Sequence, residues 1–251
     1  MGGCLTYTIT DQVDDPEWDT SLANFPDGHH LQSNFWASFK ESSGWKPFHL
    51  LLKRDDCIVA GSQVLVRKLP CAMRIAHVLE GPVFRSYEPA LFAMVIDHLI
   101  TLIRTHKINY LALQPSRCGS AVEELDAWGF QTSRILRGDR ASLLLDLSEK
   151  EETLLSLMRR TTRNNTRLAE NQGARVREGG EADLVVFHQL VTATSRRRKF
   201  TPESYAYYKN LWRHLEPSKH VKLFFTEYKG EVLSGLLVIP FGSTVVAKRF
   251  G

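Results

Sequence analysis

The chain has 251 residues, of which 43% are hydrophobic and 24% are charged, with a formal net charge of +4. This length can bury a good core in one large domain or two small ones, and the composition is that of a globular protein. No apolar run approaches the length of about 20 residues that a helix needs to span a bilayer. The mild positive charge permits an anionic partner without requiring one.

Residues 1–147 predict a first α/β domain. Asp- and Pro-rich loops occupy much of the first 31 residues, and Ser33 or Asn34 caps a short helix that carries Trp36 and ends near Lys40. The elements predicted after it are strands at 48–52, 57–68 and 74–79, a helix at 88–107, a strand at 108–113, a helix at 120–128, and strands at 130–136 and 141–147.

Residues 148–173 predict one long basic helix that opens a second domain. Ser148 and Glu151 fit a capping box, and Gly173 is placed to follow the last turn. Three arginines lie four residues apart and share one helix face: Arg159, Arg163 and Arg167. This face is either a solvated surface or a binding surface for phosphate or RNA.

The second domain then repeats the α/β pattern. Its predicted elements are a strand at 174–177, a helix at 184–194, a basic loop at 195–200, a helix at 202–215, a hairpin at 221–228 and 232–240, and a strand at 244–250. The basic loop contains Arg196 and Arg197, and the helix after it carries Tyr205, Tyr207 and Tyr208. Basic and aromatic side chains together suit a ligand with phosphates and a base or sugar, although the tyrosines also fit a helix packed on a core.

Motifs for common chemistries are missing from the sequence. It has no G-x-S-x-G elbow and no phosphate-binding loop of the G-K-S/T type. Four scattered cysteines form no C-x-x-C pair and suit a reducing cytoplasm, and His29-His30 has no third ligand nearby, so we expect no metal site. Residues 177–182 match R-x-x-G-x-A, a pyrophosphate-binding loop of acyl-CoA acetyltransferases, but they include Glu178 and Glu181, which would repel pyrophosphate.

Several segments occur in a characteristic order along the chain. They are Leu31-Gln32-Ser33 with Trp36 and Lys40, Gly44-Trp45, Glu80-Gly81-Pro82-Val83, residues 158–170 followed by Gly173, residues 192–200, Tyr207-Tyr208-Lys209, residues 230–235, and Phe250-Gly251. Together these segments resemble the Fem family of peptidoglycan-bridge aminoacyltransferases, from about residue 31 to residue 251.

The resemblance implies an α/β fold of two tandem GNAT-like acyltransferase domains, at residues 1–147 and 148–251. Because the chain ends within a predicted strand, we expect the second domain to be incomplete. The implied activity transfers an amino acid from aminoacyl-tRNA to the stem-peptide side-chain amine of a peptidoglycan precursor, either lipid II or UDP-MurNAc-pentapeptide. Aminoacyl-tRNA is the co-substrate, and no cofactor is expected. The implied location is cytoplasmic, with peripheral contact at the inner membrane face.

The resemblance also implies substrate-binding residues. A lysine at the position of Lys40 and a tyrosine at that of Tyr207 belong to the precursor site in the family. To these we add Lys248 and Arg249 as candidate contacts to phosphate or to the ester carbonyl. A tRNA or phosphate surface is predicted from five arginines: Arg159, Arg163, Arg167, Arg196 and Arg197.

Two departures from the family leave the catalytic base unassigned and keep other functions open. Gln114 stands where some members carry an Asp, and Glu203 or a neighbour stands where some carry an Arg. One alternative is a GNAT-like N-acyltransferase that uses acyl-CoA through the loop at residues 177–182. Another is a non-catalytic fragment that binds RNA or the precursor.

Overall fold

The computed structural model describes residues 4–115, 120–133 and 143–251, without the side chains of Cys71 and residues 120–123. The chain divides into two compact units: Met1–Gly138 with Pro240–Thr244, and Asp139–Ile239 with Val245–Gly251. The helices are α1 Pro16–Ala23, α2 Asn34–Glu41, α3 Pro89–Thr105, α4 Ser120–Ala127, α5 Glu151–Leu157, α6 Arg160–Asn171, α7 Leu184–Arg198 and α8 Tyr205–Leu215. The strands are β1 Leu5–Thr10, β2 Lys46–Arg54, β3 Cys57–Lys68, β4 Arg74–Leu79, β5 Val83–Phe84, β6 Tyr110–Gln114, β7 Arg175–Gly179, β8 Lys222–Tyr228, β9 Glu231–Phe241 and β10 Thr244–Phe250.

The first unit is built on a six-stranded sheet in the order β1-β2-β3-β4-β6, with β5 also pairing to β3. Its pairs are antiparallel except β4 with β6, which is parallel because α3 makes the crossover between them. Alternate residues of each strand therefore face opposite sides of the sheet. On one side, Phe48, Leu50 and Leu52 of β2 pack in the core with the apolar face of α3. The predicted amphipathic helix and the strands around it are confirmed.

Helix α1 packs in the first unit, in a stretch where the sequence predicts only loops. Asp15 accepts hydrogen bonds from the backbone N–H groups of Glu17 and Trp18 and so begins α1. Trp18 and Leu22 on this helix are fully buried. The loop assignment was wrong because the helix has only eight residues and two apolar anchors, too few for a clear periodic signal.

The second unit is built on a four-stranded sheet in the order β10-β9-β8-β7. Helices α7 and α8 share its core, where the rings of Phe187 and Tyr208 meet edge to face at 5.3 Å. Gly235 of β9 and Gly251 exchange two backbone hydrogen bonds. A Cβ on Gly235 would lie 2.8 Å from the Phe187 ring, so only glycine allows the sheet to approach α7 this closely.

The single long helix predicted at 148–173 is two helices, α5 and α6. Met158 and Arg159 have extended backbones, with ψ of 148° and 141°, and separate them. Neither helix buries a residue, so no packed face holds the two in one axis. The capping box at Ser148 is also wrong, because Asp146 accepts the Ser148 N–H and hydroxyl hydrogen bonds and α5 begins after Lys150. Gly173 does follow the last turn of α6, with φ of +97°.

Two further expectations change in the second half of the chain. The basic loop predicted at 195–200 is mostly the last turn of α7, which continues to Arg198 and ends at Lys199 in the left-handed region. The strands predicted at 130–136 and 141–147 do not form at residues 130–133 or 143–147, and their remaining residues lie outside the described ranges. The predicted bounds of β3, β4 and β10 agree with the structure.

Candidate functional site

A buried polar network in the first unit lies beneath the segment Leu31-Gln32-Ser33. The Gln32 amide donates to the Leu79 carbonyl at 2.6 Å, and its oxygen accepts from the Gln63 backbone N–H at 2.6 Å. The Gln63 side chain in turn donates to the Leu31 carbonyl at 2.8 Å. Trp18 Nε1 donates to the Gln32 carbonyl at 2.7 Å. These contacts attach the segment before α2 to β3 and β4, and so position α2.

The turn Glu80-Gly81-Pro82 depends on the same glutamine. A Cβ added to Gly81 would lie 2.7 Å from Gln32 Nε2, so glycine is required by this close approach. Two of the segments that carry the family resemblance are therefore explained by packing between them. Both support the site without supplying a reactive group.

His49 completes the network from β2. It is fully buried, and its Nε2 donates to the Gln63 side-chain oxygen at 2.9 Å. The Gln63 amide nitrogen donates instead to the Leu31 carbonyl. Its Nδ1 is buried and has no hydrogen-bond partner among the described residues. Burial lowers the pKa of His49, because the imidazolium would lose its hydration and gain an N–H without an acceptor.

Lys40 lies near the end of α2, half-buried, in the first unit. Its Nζ is 5.1 Å from the ring centroid of Trp36 and 5.4 Å from that of Phe39. Both rings are buried, so they restrict the lysine stem and hold its ammonium group in a cation–π arrangement. Lys40 is thus a placed cation rather than a freely rotating surface side chain.

Gln114 ends β6, opposite Leu79 of β4. Its carbonyl accepts from the Gly81 N–H at 3.4 Å, which brings the Glu80-Gly81 turn to the end of the strand. His77, opposite Ala112, faces the same side of the sheet and stacks with Trp45 at 4.6 Å. The Gln114 amide cannot take up a proton near neutral pH. It therefore cannot replace the acidic side chain that stands at this position in some members of the family that the sequence resembles.

In the second unit, Arg249 and Glu203 form an ion pair. Arg249 Nη2 donates to Glu203 Oε1 at 2.8 Å and to Oε2 at 2.9 Å, and the Tyr208 hydroxyl donates to Oε2 at 3.1 Å. The guanidinium also lies 5.3 Å from the Phe200 ring centroid. Burial raises the pKa of Glu203, but backbone hydrogen bonding and the Arg249 charge outweigh it, so this pKa lies below its ordinary value.

Tyr207 lies beside this pair in the first turn of α8. Its N–H donates to the Ser204 hydroxyl, which caps the helix, and its ring meets that of Tyr208 edge to face at 5.5 Å. Burial raises the pKa of the Tyr207 hydroxyl, so it stays protonated at neutral pH. Of the predicted substrate contacts, Tyr207 and Arg249 therefore belong to one cluster, Lys248 precedes Arg249 on β10, and Lys40 belongs to the other unit.

The arginine stripe predicted on one helix face is not formed as a whole, because Arg159 has an extended backbone before α6, while Arg163 and Arg167 lie on α6. Arg159 and Arg167 are exposed. Arg163 is half-buried, and its Nη1 donates to the carbonyls of Ser156 at 3.2 Å and Leu155 at 3.4 Å. Both carbonyls lie in the last turn of α5, where that of Leu155 also accepts from the Met158 N–H at 3.2 Å, so Arg163 joins the two helices.

Arg196 and Arg197 project from the last turn of α7 and are exposed. A surface cavity of about 330 Å³ lies along the same helix. It is lined by His188, Gln189, Thr192, Ala193 and Arg196. The cations at this end of the helix also offset the partial negative charge of its last carbonyls.

The R-x-x-G-x-A segment holds a carboxylate of its own. Asp183 Oδ2 accepts from the Gly180 N–H at 2.9 Å, and Asp183 Oδ1 accepts from Arg177 Nη2 at 2.8 Å. Arg177 also bonds Glu227 and lies over the Phe225 ring. The position that a pyrophosphate oxygen would take at Gly180 is occupied by Asp183, and the motif residues are used within the fold.

Two features are absent from the described residues. No group of three or more His, Cys, Asp or Glu residues in the described part of the chain is arranged to hold a metal ion. Within those same ranges, no helix combines the length and apolarity needed to cross a membrane.

Sequence interpretation missed the supporting residues of both clusters. The roles of His49 and Gln63 could not be read from the chain, because a polar residue in a strand looks the same whether it faces solvent or a buried network. Glu203 was noticed only as a departure from the family. Its partner Arg249 is 46 residues away, and no local pattern links the two.

Comparisons with known proteins agree with this description. The profile of the FemAB family matches residues 13–135 and 128–229. A lipid II:glycine glycyltransferase from Staphylococcus saprophyticus is 23% identical over 231 residues, which cover 87% of this chain and 55% of that protein. The chain therefore spans about half the length of this curated relative.

A solved structure of FemX shares the fold. It superposes with a TM-score of 0.82 at 17% identity, covering 97% of this chain and 80% of that one. The α/β fold expected from the sequence resemblance is confirmed by this likeness.

Proposed function

This chain belongs to the FemAB family, and we propose that it takes part in peptidoglycan bridge synthesis as an aminoacyltransferase. In this proposal an amino acid moves from aminoacyl-tRNA to the stem-peptide side-chain amine of a precursor, lipid II or UDP-MurNAc-pentapeptide. The observation that supports it most directly is the family match across residues 13–229 in two segments. The relative named for glycine transfer to lipid II supports the same reaction class.

The proposed reaction needs little from the protein beyond placement and charge. A neutral amine attacks the ester carbon of the aminoacyl-tRNA, the carbonyl becomes a tetrahedral oxyanion, and the ribose oxygen leaves as the amide forms. The amine must lose a proton, and the oxyanion must be met by donors. Holding the two substrates together supplies much of the acceleration. No described side chain is assigned as the base, and Gln114 cannot serve as one.

Each unit, taken by itself, offers candidate contacts to the precursor. Lys40 offers an ammonium group held over two buried rings. Tyr207, Lys248 and Arg249 offer a protonated hydroxyl and two cations in the second unit. The chemistry of these groups suits the phosphates of a nucleotide- or lipid-linked precursor.

The tRNA is assigned to exposed cations. Arg159, Arg167, Arg196 and Arg197 are available at the surface of the second unit. Arg163 is less available, since it bonds the end of α5. Backbone phosphates are bound mainly by such exposed basic side chains, with affinity that falls steeply with salt. Contact with the membrane that carries lipid II is part of the same proposal.

The loop at residues 177–182 argues against the acyl-CoA alternative. Its Gly180 N–H is already bonded to Asp183, and the same segment carries the carboxylates of Glu178 and Glu181. A pyrophosphate there would displace an internal carboxylate and meet like charges. A non-catalytic fragment that binds RNA or precursor is the remaining alternative, supported by the absence of a carboxylate at position 114.

A transfer assay separates the three functions. Total tRNA charged with tritiated amino acids is incubated with the protein and either lipid II or UDP-MurNAc-pentapeptide, and label in the precursor is counted. We expect transfer from charged tRNA and none when acetyl-CoA is the donor. Transfer from acetyl-CoA alone would refute the proposal in favour of N-acylation, and binding of both substrates without transfer would favour the non-catalytic alternative.

A further inference from the structure

The Glu203–Arg249 pair leaves part of the guanidinium outside the ion pair. Both hydrogen bonds to Glu203 use Nη2 of Arg249. Arginine has five N–H donors in a rigid plane, so Nε and Nη1 keep a fixed direction once Nη2 is held. The Arg249 side chain retains 30% of its exposure, so solutes can reach it.

One further contact restricts the guanidinium itself, and another holds its carboxylate partner. The Phe200 ring lies 5.3 Å from it, and the Tyr208 hydroxyl is attached to the same Glu203 carboxylate. Glu203 therefore connects the loop before α8, the first turn of α8 and strand β10. Its carboxylate is half-buried and has a lowered pKa, so it stays ionised and keeps these contacts at neutral pH.

We propose that Glu203 is a positioning residue, which aims the Arg249 N–H groups that lie outside the ion pair at an anionic oxygen group of the substrate. This rests on the proposed function, which supplies the substrate. The ligand class is a phosphate or a carboxylate. The charges of Glu203 and Arg249 cancel for a ligand that is still far from the pair. Recognition therefore depends on the direction of the Arg249 N–H groups. The site favours an anion that can accept hydrogen bonds from two of them.

A competing interpretation of Glu203 predicts the opposite change in anion binding when its charge is removed. If Glu203 only neutralised Arg249, removing its charge would free a cation and strengthen anion binding. If Glu203 orients Arg249, removing the charge loosens the guanidinium and weakens binding, although the site becomes more positive. Glu203→Asp separates geometry from charge, since it keeps the carboxylate but shortens its reach.

The experiment follows the Arg249 Nε–H signal by NMR in the full chain, assigned through its loss in Arg249→Lys. Sodium diphosphate and N-acetylglycine are titrated separately to distinguish phosphate from carboxylate. We expect at least one of them to shift the signal, and Glu203→Gln and Glu203→Asp each to weaken that binding about tenfold. The exposed control Glu216→Gln should bind as the parent does.

Equal or tighter binding by Glu203→Gln, or an Arg249 signal that responds to neither anion, would overturn the inference. Thermal unfolding and the remaining amide spectrum show whether each variant is folded, and Glu203→Asp provides the second test if Glu203→Gln is not. A parent protein that binds anion at Arg249 but transfers no amino acid would refute the proposed function and leave this inference standing.

Discussion

The side-chain oxygen of Gln32 accepts a hydrogen bond from the Gln63 backbone N–H at 2.6 Å, across 31 residues of chain. The same side chain donates to Leu79, and both glutamines are buried. This relationship explains why a glutamine, rather than an apolar residue of similar size, stands in the segment before α2.

Gln32→Leu should therefore be strongly destabilising. The substitution leaves the Gln63 N–H and the Leu79 carbonyl buried without their partner, at about 1–3 kcal/mol for each group. Urea unfolding monitored by tryptophan fluorescence measures the change. The matched control is Gln172→Leu at the exposed end of α6, which should stay within about 0.5 kcal/mol of the parent. Equal effects of the two variants would contradict the assigned role of Gln32.

The stability of the fold should decrease as the pH is lowered, because His49 is buried in its neutral form. Burial lowers its pKa in the folded state below the ordinary 6.5 of the unfolded chain. The unfolded chain therefore binds more protons, so the stability that depends on neutral His49 is complete above about pH 6.5 and decreases as the pH falls below it. The measurement is the loss of unfolding free energy between pH 8 and pH 5, with the variants normalised to the same value at pH 8. This loss should be smaller in His49→Leu than in the control His106→Leu.

Asp183→Ala should cost stability without creating acyl-CoA activity. The change frees the Gly180 N–H and breaks the ion pair with Arg177, and loss of a comparable capping carboxylate costs about 0.5–2 kcal/mol. Glu178 and Glu181 remain in the segment in this variant. Unfolding experiments measure the first effect, and calorimetric titration with acetyl-CoA measures the second. Acetyl-CoA binding by the parent protein would contradict our interpretation of this loop.

Removing Lys40 should weaken precursor binding more than it slows transfer. A charge-assisted hydrogen bond contributes about 1.5–3 kcal/mol, so Lys40→Met should raise the KM for the precursor at least tenfold. We expect kcat to change far less, because the bond is present in both ground and transition states. Lys68→Met, on an exposed strand end, controls for charge. Unchanged KM in Lys40→Met would remove Lys40 from the proposed site.

Two exposed arginines, Arg159 just before α6 and Arg167 on α6, should each contribute to tRNA binding. Arg159→Gln and Arg167→Gln should each weaken binding at all salt concentrations and reduce the slope of log K against log salt by about 1. Filter binding from 50 to 200 mM salt measures this. Arg213→Gln on α8 carries the same charge change and should leave the slope unaltered. If the three variants behave alike, α6 is only a solvated face.

Arg163 is a less suitable probe of the same surface, because its substitution also exposes the end of α5. We expect Arg163→Gln to lower helix content in circular dichroism, an effect that Arg167→Gln lacks. Separating these two roles requires the contacts of Arg163 with Leu155 and Ser156, which are specific to the folded chain.

Sequence patterns alone were sufficient for elements whose signal is local. The bounds of β3, β4 and β10 and the terminal Gly173 of α6 follow from side-chain alternation and glycine's access to positive φ, and cap chemistry narrows the start of α2 to Ser33 or Asn34. The family resemblance likewise depended on residues read in order. Each of these bounds and caps is determined within a few residues of chain.

Only the tertiary structure decided which polar residues act together. Gln63 lies 31 positions after Gln32, and Arg249 lies 46 positions after Glu203. Each pair forms because strand register and helix packing bring the donor and the acceptor into hydrogen-bond range. The break between α5 and α6 has the same origin. Helical pattern predicts one helix there, but without a packed face its continuity is not enforced, and Arg163 stabilises the broken form instead.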